Sequence, residues 1–448
     1  MRKLAAAVLL CVVTLALLAG PGFAKLETAE MTTAALIGDA YSKGTISHDE
    51  MILQMAYALC APWKVREDLV GVQIDLCGTP MDDVIRLALP DLPDAVAEEI
   101  RDLRVRPSTM TYVETAHFRI HYDTSGTHMI YGWPSTTYRD AMMVEVEHIW
   151  TEEVTNLGFR APPPDGGDPD GGGGNDLYDI YVQNGSLGAC YWGYSYNDGP
   201  GGYPPNAWTT YVLIENDWVE YPENSPIEWM QIVMAHEFGH ACQAAHNIGA
   251  DTWYKECTSV WLADTLYDDV NHYRSRLSPF LSSLYQSIDY HDGNQRWYGS
   301  CVWNFFLSEN FGNQIVVDNW WQIQHSSHAL EMIDLVLITY GSSMEEAYKE
   351  FAIWCWFTGS RDDGNHFEEG AYWPTASVMR GHNSYPASGG PVPTWEPDSY
   401  GCNYITLNYP GSGHSRLLVS YDGPSLLSVG NAAYLNYRTS GGVFGEYG

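Results

Sequence analysis

Three residues in one short segment of this 448-residue chain have the types and spacing that metal chemistry needs. His236 and His240 are four positions apart, so on a helix both imidazoles project from one face and can bind a single zinc ion. Glu237 follows the first histidine, where a carboxylate can take a proton from water and pass it to a leaving amine. This H-E-x-x-H pattern predicts a zinc-dependent peptidase, and the plain alternative is two surface histidines beside a carboxylate.

The third metal ligand has two candidates. His246 would complete a pattern close to that of the metzincins, but a metzincin has glycine where this chain has Gln243, and the alanines that follow favour a continued helix. Glu256 follows a loop, and a second helix over residues 252–270, packed antiparallel to the first, would present it to the metal. We therefore expect Glu256 as the third ligand, the gluzincin arrangement, with His246 as the alternative.

The elements around the motif favour an α+β fold. Ser225-Pro226-Ile227-Glu228 has the form of a capping box with proline in the first turn, so it predicts the start of the helix that carries the motif. The pattern is also helical over residues 138–157, whereas residues 117–122, 177–182 and 208–214 read as strands. We expect these elements to form a zincin-like metallopeptidase domain.

The chain divides into four parts. A short basic start, an apolar run and small residues give the N-terminus the layout of a secretory signal peptide, so we expect a secreted or periplasmic protein without a membrane anchor after signal removal. The next part shows three helical stretches, 32–41, 47–59 and 81–103, and is either a propeptide or a permanent subdomain. The predicted parts are a signal peptide (1–24), a helical N-terminal region (25–106), the metallopeptidase domain (107–384) and a small β-rich C-terminal domain that is short for a β-sandwich (385–448).

The net charge and the cysteine content limit the classes of binding partner and the cellular compartments that the sequence allows. The formal net charge of −34 argues against binding to nucleic acid or to anionic lipid, which leaves a protein or peptide as the expected substrate. Of the nine cysteines, eight follow the signal segment, and an even number in an exported chain is compatible with disulfides. Cys60 and Cys77 form the obvious local pair.

Three further sites are predicted from less specific sequence patterns. Tyr298, or else His291, could donate a hydrogen bond to the oxyanion formed when water attacks the scissile carbonyl, and the alternative for Tyr298 is a packed aromatic ring. Residues 208–214 could be the sheet edge to which an extended peptide adds. A glycine-rich loop carries oxygen ligands suited to Ca²⁺, although a simple turn is the alternative; its residues are Asp165, Asp168, Asp170, Asn175, Asp176 and Asp179.

The sequence resembles a family of secreted zinc metalloproteases first named from a myxobacterial protein. The resemblance covers most of residues 110–410; it is carried by the segments 117–126, 178–181, 235–243, 253–271, 298–299 and 400–405. It implies a signal peptide, an N-terminal pro-region, a zinc peptidase domain and a C-terminal β domain. One departure is the segment 239–242, where the resemblance implies a bulkier aromatic residue at Gly239 and valine at Cys242.

Cys242 and Cys257 each lie beside a predicted metal-binding segment, and we hypothesise a disulfide between them. The expected activity is that of a secreted zinc endopeptidase. The alternatives are a metzincin-like peptidase that uses His246, and an exported adhesion or glycan-binding protein whose zinc site is structural or vestigial; the aromatic content and β-rich C-terminus support the latter.

Overall fold

The structure is a computed structural model that describes residues 32–71, 77–165, 175–185, 193–219, 221–290, 296–384, 397–407, 435–438 and 444–447. Helices and strands occur together, so the fold is α+β, as predicted. The predicted signal segment lies outside the described residues. Across the part of the chain that is described, we find no helix with both the length and the apolar character needed to cross a bilayer.

Four helices form the N-terminal part of the described chain. They are α1 (Thr33–Ser42), α2 (His48–Cys60), α3 (Thr79–Ala88) and α4 (Asp94–Leu103). Ser47 caps α2 by accepting a hydrogen bond from the Glu50 backbone N–H, as the spacing predicts. The expectation of one helical stretch over 81–103 is wrong, because Pro90 and Pro93 lack the N–H that a continuous helix needs at these positions.

A five-stranded sheet forms the next layer. Its strands are β1 (Thr111–Glu114), β2 (Phe118–Tyr122), β3 (Tyr178–Gln183), β4 (Gly193–Pro200) and β5 (Trp208–Glu215). The spatial order is β1-β2-β3-β5-β4, with β2, β3 and β5 parallel and the two outer strands antiparallel to their neighbours. The prediction that residues 208–214 form a sheet edge is wrong, because β5 pairs on both sides and the edge strand beside it is β4.

Long helices pack on the sheet and form most of the core. These are α5 (Thr137–Trp150), which a π-helical turn extends over Thr151–Leu157, α6 (Pro226–Asn247) and α7 (Thr252–Leu266). The remaining helices are α8 (Leu277–Leu281), α9 (Arg296–Gly299), α10 (Cys301–Phe311), α11 (Gln314–Ile323), α12 (Ala329–Thr339) and α13 (Met344–Trp356). Their buried apolar side chains join those of β2, β3 and β5 in one hydrophobic cluster.

The C-terminal strands are short. They are β6 (Arg380–His382) and β7 (Ile405–Leu407), which pair in parallel, and β8 (Leu435–Arg438) and β9 (Phe444–Tyr447), which pair antiparallel. The Cys402 N–H donates to the Leu284 carbonyl at 2.7 Å, and the Tyr404 hydroxyl donates to the Ala352 carbonyl at 2.6 Å. Residues 402–404 are therefore tied to the main core, although they follow the predicted start of the C-terminal domain.

Buried ion pairs attach the N-terminal helices to the rest of the protein. Asp83 on α3 contacts Lys255 on α7 at 2.6 Å, and both side chains are about 5% exposed. Removal of one partner of such a pair generally costs about 3–5 kcal/mol, because the other charge stays buried and uncompensated. The N-terminal helices thus have a hydrophobic cluster of their own and are joined to the rest of the protein by polar contacts such as this ion pair.

Candidate metal centre and active site

The helix that carries the two histidines begins as its sequence predicts. The Ser225 hydroxyl accepts a hydrogen bond from the Glu228 N–H at 3.3 Å, and the Glu228 carboxylate accepts one from the Ser225 N–H at 2.7 Å. This complete capping box fixes the start of α6, and the helix runs without interruption to Asn247. Consequently His236 and His240 lie one turn apart, with imidazole Nε2 atoms separated by 3.1 Å.

The chain then turns back and brings a carboxylate to the histidines. Glu256 on α7 lies 3.2 Å from the His236 Nε2 atom and 3.3 Å from that of His240. With the Cys77 sulphur, these residues offer four ligand atoms that all lie within 4.8 Å of one another. The protein thus contains a largely buried group of cysteine, histidine and glutamate side chains that could hold a metal ion.

Close packing of α6 on α7 permits this geometry. A methyl group on Gly239 would lie 2.8 Å from the fully buried side chain of Leu262 and 3.3 Å from the Ser259 hydroxyl. Glycine between the two histidines therefore lets α7 approach closely enough for Glu256 to reach them. Gly239 thus has a clear structural role between the two helices.

A network of hydrogen bonds orients His240. Its Nδ1 atom lies 2.8 Å from the Gln243 side-chain oxygen and 3.2 Å from the Ser259 hydroxyl. The Gln243 amide nitrogen donates to the Lys255 carbonyl and to Ser259, each at 3.0 Å, which directs its oxygen to the imidazole. With the proton on Nδ1, the lone pair of Nε2 faces the cluster, as metal binding requires.

The environment of Glu256 fits a bound cation. Its side chain is 1% exposed, and neither carboxylate oxygen accepts a hydrogen bond from the described residues. Burial alone would raise the pKa of this carboxyl group, but the imidazoles of His240 and His236 lower it to about 2. A buried carboxylate that faces two imidazole nitrogens and accepts no hydrogen bond from another described side chain is well suited to coordinate a metal ion.

Glu237 lies beside the cluster but outside its four ligand atoms. It is buried, and burial raises the pKa of its carboxyl group, which the neighbouring imidazoles partly oppose. One of its oxygens lies 3.3 Å from the Cys77 sulphur and 3.3 Å from the Thr79 hydroxyl, and both groups donate to it. A carboxylate with a raised pKa next to a metal site can act as a general base and then as an acid.

Sequence reasoning did not identify Cys77 and Thr79 as part of this site. Cys77 was expected to pair with Cys60, but both are free thiols in the structure. The hypothesised Cys242–Cys257 disulfide is likewise wrong, because Cys257 donates to the Ser300 carbonyl at 3.2 Å and Cys242 contacts Glu153 instead. Nothing near Cys77 in the sequence indicates a contact with a residue 160 positions away.

His246 lies apart from the metal cluster. It remains within α6, it is fully buried, and its Nε2 atom accepts a hydrogen bond from the Arg160 N–H at 3.1 Å. Burial lowers its pKa to about 3, with a further contribution from the Arg160 charge. The alternative in which His246 is the third ligand is therefore at odds with this geometry.

Tyr298 lies beside the metal cluster. Its ring centroid is 6.3 Å from that of His236 at an interplanar angle of 25°, and its side chain is buried. Burial and the Glu256 charge raise its pKa well above the ordinary value, so the hydroxyl keeps its proton. The other predicted oxyanion donor, His291, lies outside the described residues.

A pocket opens next to these groups. Its lining includes Cys77, His236, Glu237 and Tyr298. The other lining residues are apolar (Ile232, Val233, Val260, Ala263 and Val270) or polar (Asp264, His272, Tyr273 and Arg276). The site therefore adjoins a partly apolar cavity.

The guanidinium group of an arginine occupies the loop in which the sequence predicted a Ca²⁺ site. Asp165 and Asp179 both bind the Arg106 guanidinium, and Asp179 also lies 2.8 Å from the His121 Nε2 atom. Asn175 donates to Glu114 at 3.1 Å, while Asp176 is exposed. Asp168 and Asp170 lie outside the described residues. For Asp165 and Asp179 the predicted Ca²⁺ site is thus corrected to an ion-pair network.

Comparison with known proteins assigns no family or function to this site. The chain matches none of the family profiles and none of the curated proteins with which it was compared.

Proposed function

We propose that this protein is an exported zinc-dependent endopeptidase in which His236, His240 and Glu256 hold the metal. The observation that carries the proposal is the convergence of both motif histidines on a buried carboxylate that accepts no hydrogen bond from the described residues. Two nitrogen donors and one oxygen donor suit zinc, whereas Ca²⁺ and Mg²⁺ prefer oxygen ligands alone. The resemblance to secreted zinc metalloproteases points to the same chemistry.

Zinc in this site would polarise a peptide carbonyl and lower the pKa of water. Glu237 has the position to accept the proton of the attacking water and then to deliver it to the departing amine. His240 is held in the required tautomer by Gln243 and Ser259. The apolar wall of the neighbouring pocket would receive a side chain of the substrate and exclude water from it.

Tyr298 is the proposed donor to the developing oxyanion, because its protonated hydroxyl belongs to a residue that lines the same pocket as Glu237. Tyr298→Phe should lower kcat by roughly 10²–10³-fold, as loss of one oxyanion donor does elsewhere, with little change in KM or bound zinc. Tyr273→Phe is the matched control, since Tyr273 lines this pocket but its hydroxyl binds Glu369. Equal kcat values for the Tyr298→Phe and wild-type proteins would show that Tyr298 only packs against the site and does not donate to the oxyanion.

Metal removal tests the function itself. The zinc-loaded protein should hydrolyse a fluorescently labelled casein, a zinc chelator should stop the reaction, and added zinc should restore it. Metal analysis of the same samples should show one zinc per chain before chelation. Hydrolysis that continues unchanged in the zinc-free protein would contradict the proposal.

A further inference from the structure

We propose that Cys77 is a fourth ligand of the metal and that, through it, the N-terminal segment keeps the peptidase site closed. The N-terminal segment here means the described residues of 32–106. This inference rests on the proposed function and adds a mode of regulation to it.

The position of the sulphur is the first argument. The Cys77 Sγ atom lies within 4.8 Å of a ligand atom from each of His236, His240 and Glu256. Cysteine, histidine and glutamate are all zinc donors, and four protein ligands are typical of closed structural sites, whereas a catalytic site keeps one position open for water. While Cys77 is bound, no position is open to water, so only the fraction of molecules in which the segment has moved away would hydrolyse a substrate.

The same segment also engages the general base. The Thr79 hydroxyl donates to one oxygen of Glu237 at 3.3 Å, and this bond does not depend on the Cys77 proton, which is lost when the sulphur binds the metal. A water molecule that is to be activated needs that oxygen as its acceptor. The N-terminal segment thus blocks the metal position and the proton acceptor together.

The segment further covers the edge of the sheet next to the site. The Gly78 N–H donates to the Gly193 carbonyl at 3.1 Å, and the Ser195 N–H donates to the Thr79 hydroxyl at 3.0 Å. Gly193 and Ser195 alternate along β4, so these groups face outward from one edge of the strand. An extended peptide substrate that adds to this edge would need the same backbone groups.

Close packing and ion pairs hold the segment in this place. A methyl group on Gly78 would lie 2.9 Å from the Tyr194 Cβ atom, so glycine allows the backbone to reach β4. Beyond it, Asp82 accepts a hydrogen bond from the Asn197 side-chain amide at 2.8 Å, and Asp83 pairs with Lys255. The attachment is extensive, so opening requires displacement of the segment.

The exchange of Cys77 for water at the metal conserves atoms and charge. When Cys77 binds the metal, a sulphur–metal bond forms and the thiol proton passes to solvent. When the segment leaves, that bond breaks, the sulphur takes up a proton from solvent, and the fourth position becomes available to water. The step involves neither oxidation nor reduction.

X-ray absorption at the zinc edge of the full chain tests the ligand directly. The wild-type protein should show one sulphur at roughly 2.3 Å beside nitrogen and oxygen at roughly 2.0–2.1 Å. Cys77→Ser should lose the sulphur and keep the zinc. Cys60→Ser is the matched control, because Cys60 belongs to the same segment and is a free thiol outside the cluster. A wild-type spectrum with zinc on nitrogen and oxygen alone would overturn the proposal and leave the proposed function intact.

Peptide hydrolysis by the same zinc-loaded proteins tests the closure. Cys77→Ser should cleave a labelled peptide at least about tenfold faster than wild type, because a larger fraction of its sites is open, and Cys60→Ser should not. Equal rates for wild type and Cys77→Ser would overturn the closure. If the sulphur signal depends on Cys77 but no variant hydrolyses peptides, the ligand assignment is upheld and the peptidase function fails.

Discussion

Glu237→Gln is expected to lower the rate of peptide hydrolysis by a factor on the order of 10²–10⁴, the contribution typical of a general base. Glutamine keeps the size of the side chain but cannot accept the proton of the attacking water at neutral pH. The metal ligands are unchanged, so bound zinc should stay at the wild-type level. Hydrolysis rates in the wild-type and Cys77→Ser backgrounds, with metal analysis of each sample, measure the effect.

Glu153→Gln is the matched control for this substitution. Glu153 is also fully buried, and burial raises the pKa of its carboxyl group well above the ordinary value. It contacts Cys242 and is not part of the metal cluster. Similar rates for the two glutamine variants would remove Glu237 from the proposed mechanism.

Glu256→Gln and Glu256→Ala are expected to weaken zinc binding by more than about 100-fold. Loss of a group that merely orients a ligand costs roughly 10–100-fold in affinity, and Glu256 is proposed as a ligand itself. Ser259→Ala, which removes one hydrogen bond to His240, should fall within that smaller range. Competition with a chromophoric chelator measures all three affinities.

His246→Gln separates the two candidate third ligands. Because His246 binds the Arg160 backbone rather than the cluster, its replacement should leave the zinc affinity unchanged, whatever it does to stability. Loss of zinc from His246→Gln together with full retention by the Glu256 variants would establish the alternative ligand set. Thermal unfolding of each variant shows whether a change in zinc content reflects the site or the fold.

The predictable parts of the fold are those that local chemistry determines. The capping box at Ser225 and the apolar runs of β2, β3 and β5 place these elements within a residue or two of their observed bounds. The sequence does not reveal β4, because its residues Gly-Tyr-Ser-Tyr-Asn-Asp-Gly-Pro include several poor strand formers. Pairing with β5 and hydrogen bonds with the N-terminal segment make it a strand.

The residues of the site also fall into those that the sequence predicts and those that it does not. His236, Glu237, His240 and Glu256 lie within two consecutive helices, so their spacing alone suggests that they meet. Cys77 reaches the site through the tertiary fold, and its position in the sequence suggested a local disulfide instead. Contacts between distant segments depend on how the helices dock, which periodicity and spacing do not describe.

The covered edge of β4 has a consequence for association between copies of the chain. An exposed strand edge is a template on which other chains pair, and it promotes aggregation. Here the outward backbone groups of Gly193, Ser195 and Asn197 are bonded to the N-terminal segment of the same molecule. The backbone groups that would align a substrate are therefore satisfied within the chain, and crowded copies of this form cannot use them to associate with one another.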